Sequence, residues 1–312
     1  MTTAVEKPRI ALNNILFTTD FSDASRHALP FAAALARRYD ARLLLAHVVE
    51  QVPMSAVPMD SLPQDMDRAR EHAERKMQEF RQSAELLGLK LETMVEPGFL
   101  WPVVTDTMEQ RKTDMIVLGT HGRGALKRLL LGSAAEEIFR HATCPVLTVG
   151  PHVDPKRATA KLEKILFATD FSSGSIHALD YALKLVADNE AQLLMIHVVQ
   201  ASAIPFDITD DFVAESEAKL KDMIAPDAMP TKPPLFLTLI GIPSEQILNF
   251  AERENADLIV MGMHKGTELA SHWPLEFAAK IIAGAKCPVL SVRGSQAEKR
   301  TVRRTVDPTS LP

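Results

Sequence analysis

The chain has 312 residues, 46% hydrophobic and 24% charged, with a formal net charge of −5. That balance excludes a disordered or fibrous class and gives no electrostatic case for nucleic acid or an anionic membrane as partner. Apolar runs such as Met115 to Leu118 are strand-sized, far below the ~20 residues that cross a bilayer, and Met1 to Lys7 lacks the apolar core of a secretory leader, so the expected location is cytoplasmic.

In chain order the first half reads as strand 14–18, helix 22–39, strand 42–49, helix 65–87, strand 89–95, helix 99–111, strand 115–119, helix 133–141 and strand 146–149. Ser22 and Asp23 supply cap chemistry to the first helix, whose apolar stripe includes Leu29, Ala32, Ala33 and Ala36. Leu43 to Ala46 is apolar on consecutive residues, as expected of a strand with helices over both faces. Pro151 and Pro155 interrupt regular structure, which marks a linker over 151–160. The second half repeats the order, with strands 164–168, 192–199, 235–240, 258–262 and 289–292 and a shortened helix at 210–225 that runs into Pro226, Pro230, Pro233 and Pro234. Beyond 293 the chain turns polar, with Lys299, Arg300, Arg303 and Arg304, and a disordered tail over 294–312 is expected.

The halves are copies of one another. Ile15 to Ser22 returns as Ile165 to Ser172, His27-Ala28-Leu29 as His177-Ala178-Leu179 and His47-Val48-Val49 as His197-Val198-Val199, all at an offset of 150. Asp114 to Gly119 matches Asp257 to Gly262, and Cys144 to Leu147 matches Cys287 to Leu290, at an offset of 143. A duplication with seven residues lost from the second copy explains both offsets. The expected domains are therefore 1–150 and 161–293, each an alternation of strand and helix that implies parallel α/β layering. The two cysteines stand at one equivalent position, in no metal or redox spacing, and read as buried structural thiols.

The chemistry is concentrated after the fourth strand of copy one, on the edge where parallel α/β sheets bind ligands. Gly119-Thr120-His121-Gly122-Arg123 leads through Lys127 and Arg128 to Gly132-Ser133, which opens a helix. Glycines allow close backbone approach, and free amides at a helix start favour an anion. Arg123, Lys127 and Arg128 add positive charge nearby, and Ser133 a hydroxyl. Neither the P-loop pattern nor a G-x-G-x-x-G after the first strand is present.

The spacing G-x2-G-x9-G-S at Gly119, Gly122, Gly132 and Ser133 resembles the ATP-binding motif of universal stress proteins. The resemblance extends over both repeats, through the Thr-Asp-Phe-Ser and His-Val-Val strand ends and the closing Cys-Pro-Val-Leu strand. It implies two tandem Rossmann-like domains of the adenine nucleotide alpha hydrolase-like kind, each a five-stranded parallel sheet flanked by helices, paired through their last strands. It also implies that adenine nucleotide (ATP, AMP or ADP, with Mg as the candidate accompanying ion) sits on the first-strand and fourth-strand loops. Thr19, Asp20, Val49, Gly119, Gly122, Arg123, Gly132 and Ser133 are the expected contacts, with Thr18 and Val48 beside them. A homodimer of tandem chains and unnamed protein partners are further expectations of the resemblance.

Copy two departs from this pattern. Lys265 replaces the second glycine, and Leu275-Glu276 falls where Gly-Ser should stand, a side chain and a negative charge at an anion site. Asp170 repeats Asp20 although its loop is degenerate, so an ordinary acidic helix start remains an alternative for both. His47 and His197 read as satisfied core histidines, His121 as a solvated loop residue, and His264 with His272 as too few ligands for a metal. The expected function is a nucleotide-dependent stress regulator. The alternatives are a slow ATP hydrolase, for which Asp20 or His121 are bare candidates as base, and a scaffold using Met54, Met59 and Met66 with Pro53, Pro58 and Pro63.

Overall fold

A computed structural model describes residues 10–50, 62–120, 133–158, 161–200, 210–263 and 275–293. The expected tail 294–312 lies outside these residues, as does the proline-methionine segment except Pro63 and Met66. Copy one comprises β1 (Asn14–Thr18), α1 (Asp23–Tyr39), β2 (Arg42–Glu50), α2 (Leu62–Arg81), β3 (Lys90–Gly98), α3 (Leu100–Arg111), β4 (Met115–Gly119), α4 (Ser133–His141) and β5 (Val146–Val149). Copy two repeats it as β6 (Lys164–Thr169), α5 (Ser173–Asn189), β7 (Gln192–Val199), α6 (Asp210–Asp222), β8 (Leu235–Ile240), α7 (Pro243–Arg253), β9 (Leu258–Met263), α8 (Leu275–Gly284) and β10 (Val289–Arg293).

The strands form one ten-stranded sheet in the order β3-β2-β1-β4-β5-β10-β9-β6-β7-β8. Each half is parallel, and the halves meet in an antiparallel pairing of β5 with β10, where Leu147 faces Leu290. Those two leucines occupy equivalent positions of the repeats, so a pseudo-twofold axis passes between them. The pairing edge is thus consumed within the chain, and the sheet ends on β3 and β8.

Strand alternation sorts the core onto two faces. Phe17, Leu43, Leu45, Phe167, Leu193 and Met195 pack under α1, α2, α5 and α6; Leu16, Leu44, Ile116, Leu166, Leu194 and Ile259 pack under α3, α4, α7 and α8. Between β1 and β4 the chain switches from the first helix layer to the second, which opens a crevice at the carboxyl ends of the strands.

One local expectation changes. Helix 65–87 ends at Arg81, followed by a separate 3-10 turn at Ala84–Leu86. Phe80 and Leu86 are both buried, and a continuous helix would set them about 120° apart, so the break turns Leu86 inward. The described part of the linker is fastened to the rest of the fold. Val153 is buried in the core, Asp154 caps a short turn at Pro155–Arg157, and Arg157 bonds the Ala256 carbonyl at 3.0 Å and the Asp257 carboxylate at 3.1 Å. Arg38 at the end of α1 donates to the Asp188 carbonyl at the same position of α5, and Asp188 also accepts from the Ile10 amide at 3.1 Å.

Candidate nucleotide cleft

The segment that joins β1 to α1 is a self-bonded turn. The Thr19 amide donates to the Ala46 carbonyl at 2.9 Å, extending the β1–β2 pairing, and the Thr19 hydroxyl accepts from the Phe21 amide at 2.9 Å. Asp20 Oδ1 accepts from the Ser22 amide at 3.0 Å and from Ser25 Oγ at 2.6 Å; Ser22 Oγ accepts from the Ser25 amide as the helix N-cap. Phe21 takes a left-handed conformation, φ 62°, strained for a residue with a Cβ. Copy two repeats the turn at Thr169, Asp170, Phe171 (φ 61°) and Ser175, with Ser175 Oγ 2.7 Å from Asp170. One carboxylate oxygen of Asp20 is therefore occupied in building a turn that both copies share.

His47 braces this turn from β2. Its Nδ1 lies 2.7 Å from the Thr19 carbonyl, an acceptor, so Nδ1 carries the proton, and its ring packs 4.4 Å from that of Phe21. Burial pushes the His47 pKa below its ordinary value, which keeps the ring neutral. His197 makes the same bond to Thr169 at 2.9 Å beside Phe171, as expected of satisfied histidines.

A cleft of about 470 Å³ opens over these strand ends, a size typical of small-molecule sites. It wraps the sheet edge. On one side the apolar side chains of Leu16, Ala46, Val104, Leu118 and Ile138 line it together with Thr107 of α3; on the other stand Asp20, Phe21, His47 and the inner face of α2. Of the residues singled out from the sequence, Thr18, Thr19, Asp20, Val48, Val49 and Gly119 converge on this cleft. Gly122, Arg123 and Gly132, with His121, Lys127 and Arg128, lie outside the described residues. Ser133 opens α4 as expected, although its side chain is not among those described, and Ala135 one turn on borders the cleft.

Gly119 has a reason independent of any ligand. A Cβ there would stand 2.2 Å from the Ala24 carbonyl oxygen, so only glycine lets α1 pack against the end of β4. Gly262 meets Gly174 in the same way in copy two, at 2.5 Å, which explains why this glycine survives where the rest of the motif does not.

The α2 wall was not read from the sequence. Ala69, His72, Ala73 and Lys76 line the cleft at helical spacing i, i+3, i+4, i+7, a face of small and basic residues that could have been found as such. Lys76 Nζ lies 6.0 Å from the centre of the Phe21 ring.

Aligned by the repeat offsets, three corresponding positions of copy two carry larger side chains and a fourth conserves volume. Ile196 stands for Ala46, Phe250 for Thr107, Met261 for Leu118 at similar volume, and Phe212 for Ala69. The first three are buried. Residues 264–274, including Lys265, His264 and His272, lie outside the described residues; Leu275 begins α8 and Glu276 sits exposed in its first turn. Among the described residues no group of three or more His, Cys, Asp or Glu gathers to hold a metal. Cys144 and Cys287 are free, with both thiols pushed up to about 12 by burial. No described helix is long and apolar enough to cross a membrane.

Comparison with known proteins agrees with the architecture. The universal stress protein family model matches residues 12–150 and 161–293. A universal stress protein of Methanocaldococcus jannaschii is 33% identical over 136 residues, 43% of this chain and 80% of that protein. A putative universal stress protein of Staphylococcus aureus is 30% identical over 142 residues, 45% of this chain and 85% of its own. A crystal structure of a universal stress protein from Archaeoglobus fulgidus shares the fold with a TM-score of 0.70, covering 91% of this chain and 99% of its own at 23% identity. The chain belongs to the universal stress protein family, as two tandem copies of its domain.

Proposed function

We propose that this tandem universal stress protein binds one adenine nucleotide per chain, in the cleft of copy one, and acts as a nucleotide-dependent regulator. The observation that carries the reading is the cleft between the ends of β1, β2 and β4, which opens beside the first turn of α4. The free amides of that turn and the helix dipole favour phosphate there. In this reading Gly119, Gly122, Gly132 and Ser133 admit the phosphates to the backbone, and Arg123 supplies positive charge. Thr19, Asp20 and Val49 border the nucleoside, with the apolar side of the cleft receiving the base.

The residues present suit such a ligand. Asp20, which holds the turn through Oδ1, is an exposed residue that borders the cleft. A Mg ion arriving with a triphosphate would be held by phosphate oxygens and water, with Asp20 and Glu50 as the nearest carboxylates of the lining. Copy two, with Phe250 and Ile196 at the positions of Thr107 and Ala46, serves in this reading as the packing partner that completes the ten-stranded sheet. A ligand that favours one conformation of copy one shifts the population toward it, which is how binding becomes regulation.

The reading is tested by native mass spectrometry of the full chain with ATP, beside Gly132→Leu and a sample held an hour with ATP. One unhydrolysed nucleotide per chain, lost in the variant, supports a sensor. Turnover above that of Ser133→Ala would replace the sensor with a hydrolase, and no bound nucleotide at all would overturn the reading.

A further inference from the structure

We propose that Lys76 of α2 pairs with the phosphate charge of the ligand, so that α2, and not the start of α4 alone, distinguishes a nucleotide from a nucleoside. The inference rests on the nucleotide reading above. Among the described residues that line the cleft, Asp20 and Glu50 are carboxylates and Lys76 is the one permanent cation. A phosphate entering without Lys76 would meet two negative charges and no fixed positive one from these elements, an unfavourable field for an anion.

The position of Lys76 is built rather than incidental. Ala69 and Ala73 precede it on the same helical face and are too short to block its path into the cleft. The side chain is half-buried, with its ammonium over the Phe21 ring at 6.0 Å, a cation–π placement. Phe21 is in turn packed on His47 at 4.4 Å, and His47 is bonded to the Thr19 carbonyl at 2.7 Å. The cation is thus held against the strand ends by a ladder of packed rings, while its flexible stem leaves three donors free to follow a phosphate.

Copy two keeps the lysine and the Phe171–His197 stack but not the helix face that carries the lysine into the cleft. Lys219, the counterpart of Lys76, is exposed, and Phe212 and Glu215 replace Ala69 and His72 on the same face. The wall changes chemistry together with the cleft it lines.

The test is calorimetric titration of the full chain with AMP and with adenosine, in wild type, Lys76→Gln and Lys76→Arg, with thermal unfolding as a check that each variant is folded. Lys76→Gln is expected to weaken AMP about tenfold while adenosine changes less than about twofold. Lys76→Arg should recover AMP binding, and the salt dependence of AMP binding should flatten in Lys76→Gln. A purely structural role would weaken both ligands alike. Equal loss for AMP and adenosine, or no loss for either, overturns the role of Lys76 and leaves the nucleotide reading standing. Failure of the wild type to bind either compound overturns the nucleotide reading and this inference with it.

Discussion

Thr107 of α3 and Phe250 of α7 occupy the same position in the two repeats, yet Thr107 borders the cleft and Phe250 fills the core. Thr107 Oγ1 donates to the Val103 carbonyl at 2.7 Å, a bond back into its own helix, so the site of copy one is lined here by a small and internally satisfied side chain. Thr107→Phe is expected to abolish nucleotide binding. Thr107 is itself buried, so the larger ring should also cost about 1–3 kcal/mol of stability, and the variant is compared at a temperature where it is folded. A large-to-small change at the equivalent position, Phe250→Ala, should cost about 3–5 kcal/mol through the cavity it leaves. Urea unfolding and calorimetry on both variants check the pair.

Asp20 and Asp170 separate the structural duty of the aspartate from any role toward a ligand. Each holds its turn through one carboxylate oxygen, at 2.6 Å to Ser25 and 2.7 Å to Ser175. Asp20→Ala and Asp170→Ala should each destabilise the chain by about 1–2 kcal/mol. Binding should fall in Asp20→Ala alone. Equal binding in the two variants would confine Asp20 to the turn.

His47 makes stability depend on pH. Its folded pKa lies below the ordinary 6.5 because burial disfavours the cation, so below 6.5 the unfolded chain takes up the proton first. The contribution is fully present above 6.5 and is lost as pH falls from 6.5 through the folded value. Unfolding midpoints between pH 7.5 and about 5 should therefore fall with pH, and His47→Gln, whose amide can still donate to Thr19, should show a shallower fall. A slope unchanged in the variant would remove His47 as its source.

Arg157 ties the linker to copy two through the Ala256 carbonyl and Asp257, whose other carboxylate oxygen accepts the Glu163 and Lys164 amides at 2.8 and 3.0 Å. Arg157→Ala should cost about 1–2 kcal/mol and expose residues 151–158 to limited proteolysis at a concentration of protease that spares the wild type. Cleavage at the same rate in both would show that Val153 and the turn hold the linker without Arg157.

The repeat made most of the fold legible, because the same strand ends recur at fixed offsets and apolar runs mark strands covered on both faces. Helix breaks were less legible, since Phe80 and Leu86 reach one core only after a turn that propensity does not announce. At the site, Thr19, Asp20, Val49 and Gly119 could be named because motif and strand ends coincide, but their local reasons could not. The need for glycine at 119 comes from the Ala24 carbonyl of another element, a contact with no local signature. The α2 wall escaped because alanines at 69 and 73 look like any helix face until the opposite wall is in place. Size changes such as Thr107 to Phe250 were present in the aligned repeats, and acquire meaning only where one side chain borders open space.

The most direct measurement is the stoichiometry of ATP binding to the full chain by calorimetry, repeated with Thr107→Phe. One site per chain in the wild type and none in the variant is the expected result. Two sites per chain, or one site that survives Thr107→Phe, would contradict a single nucleotide cleft in copy one.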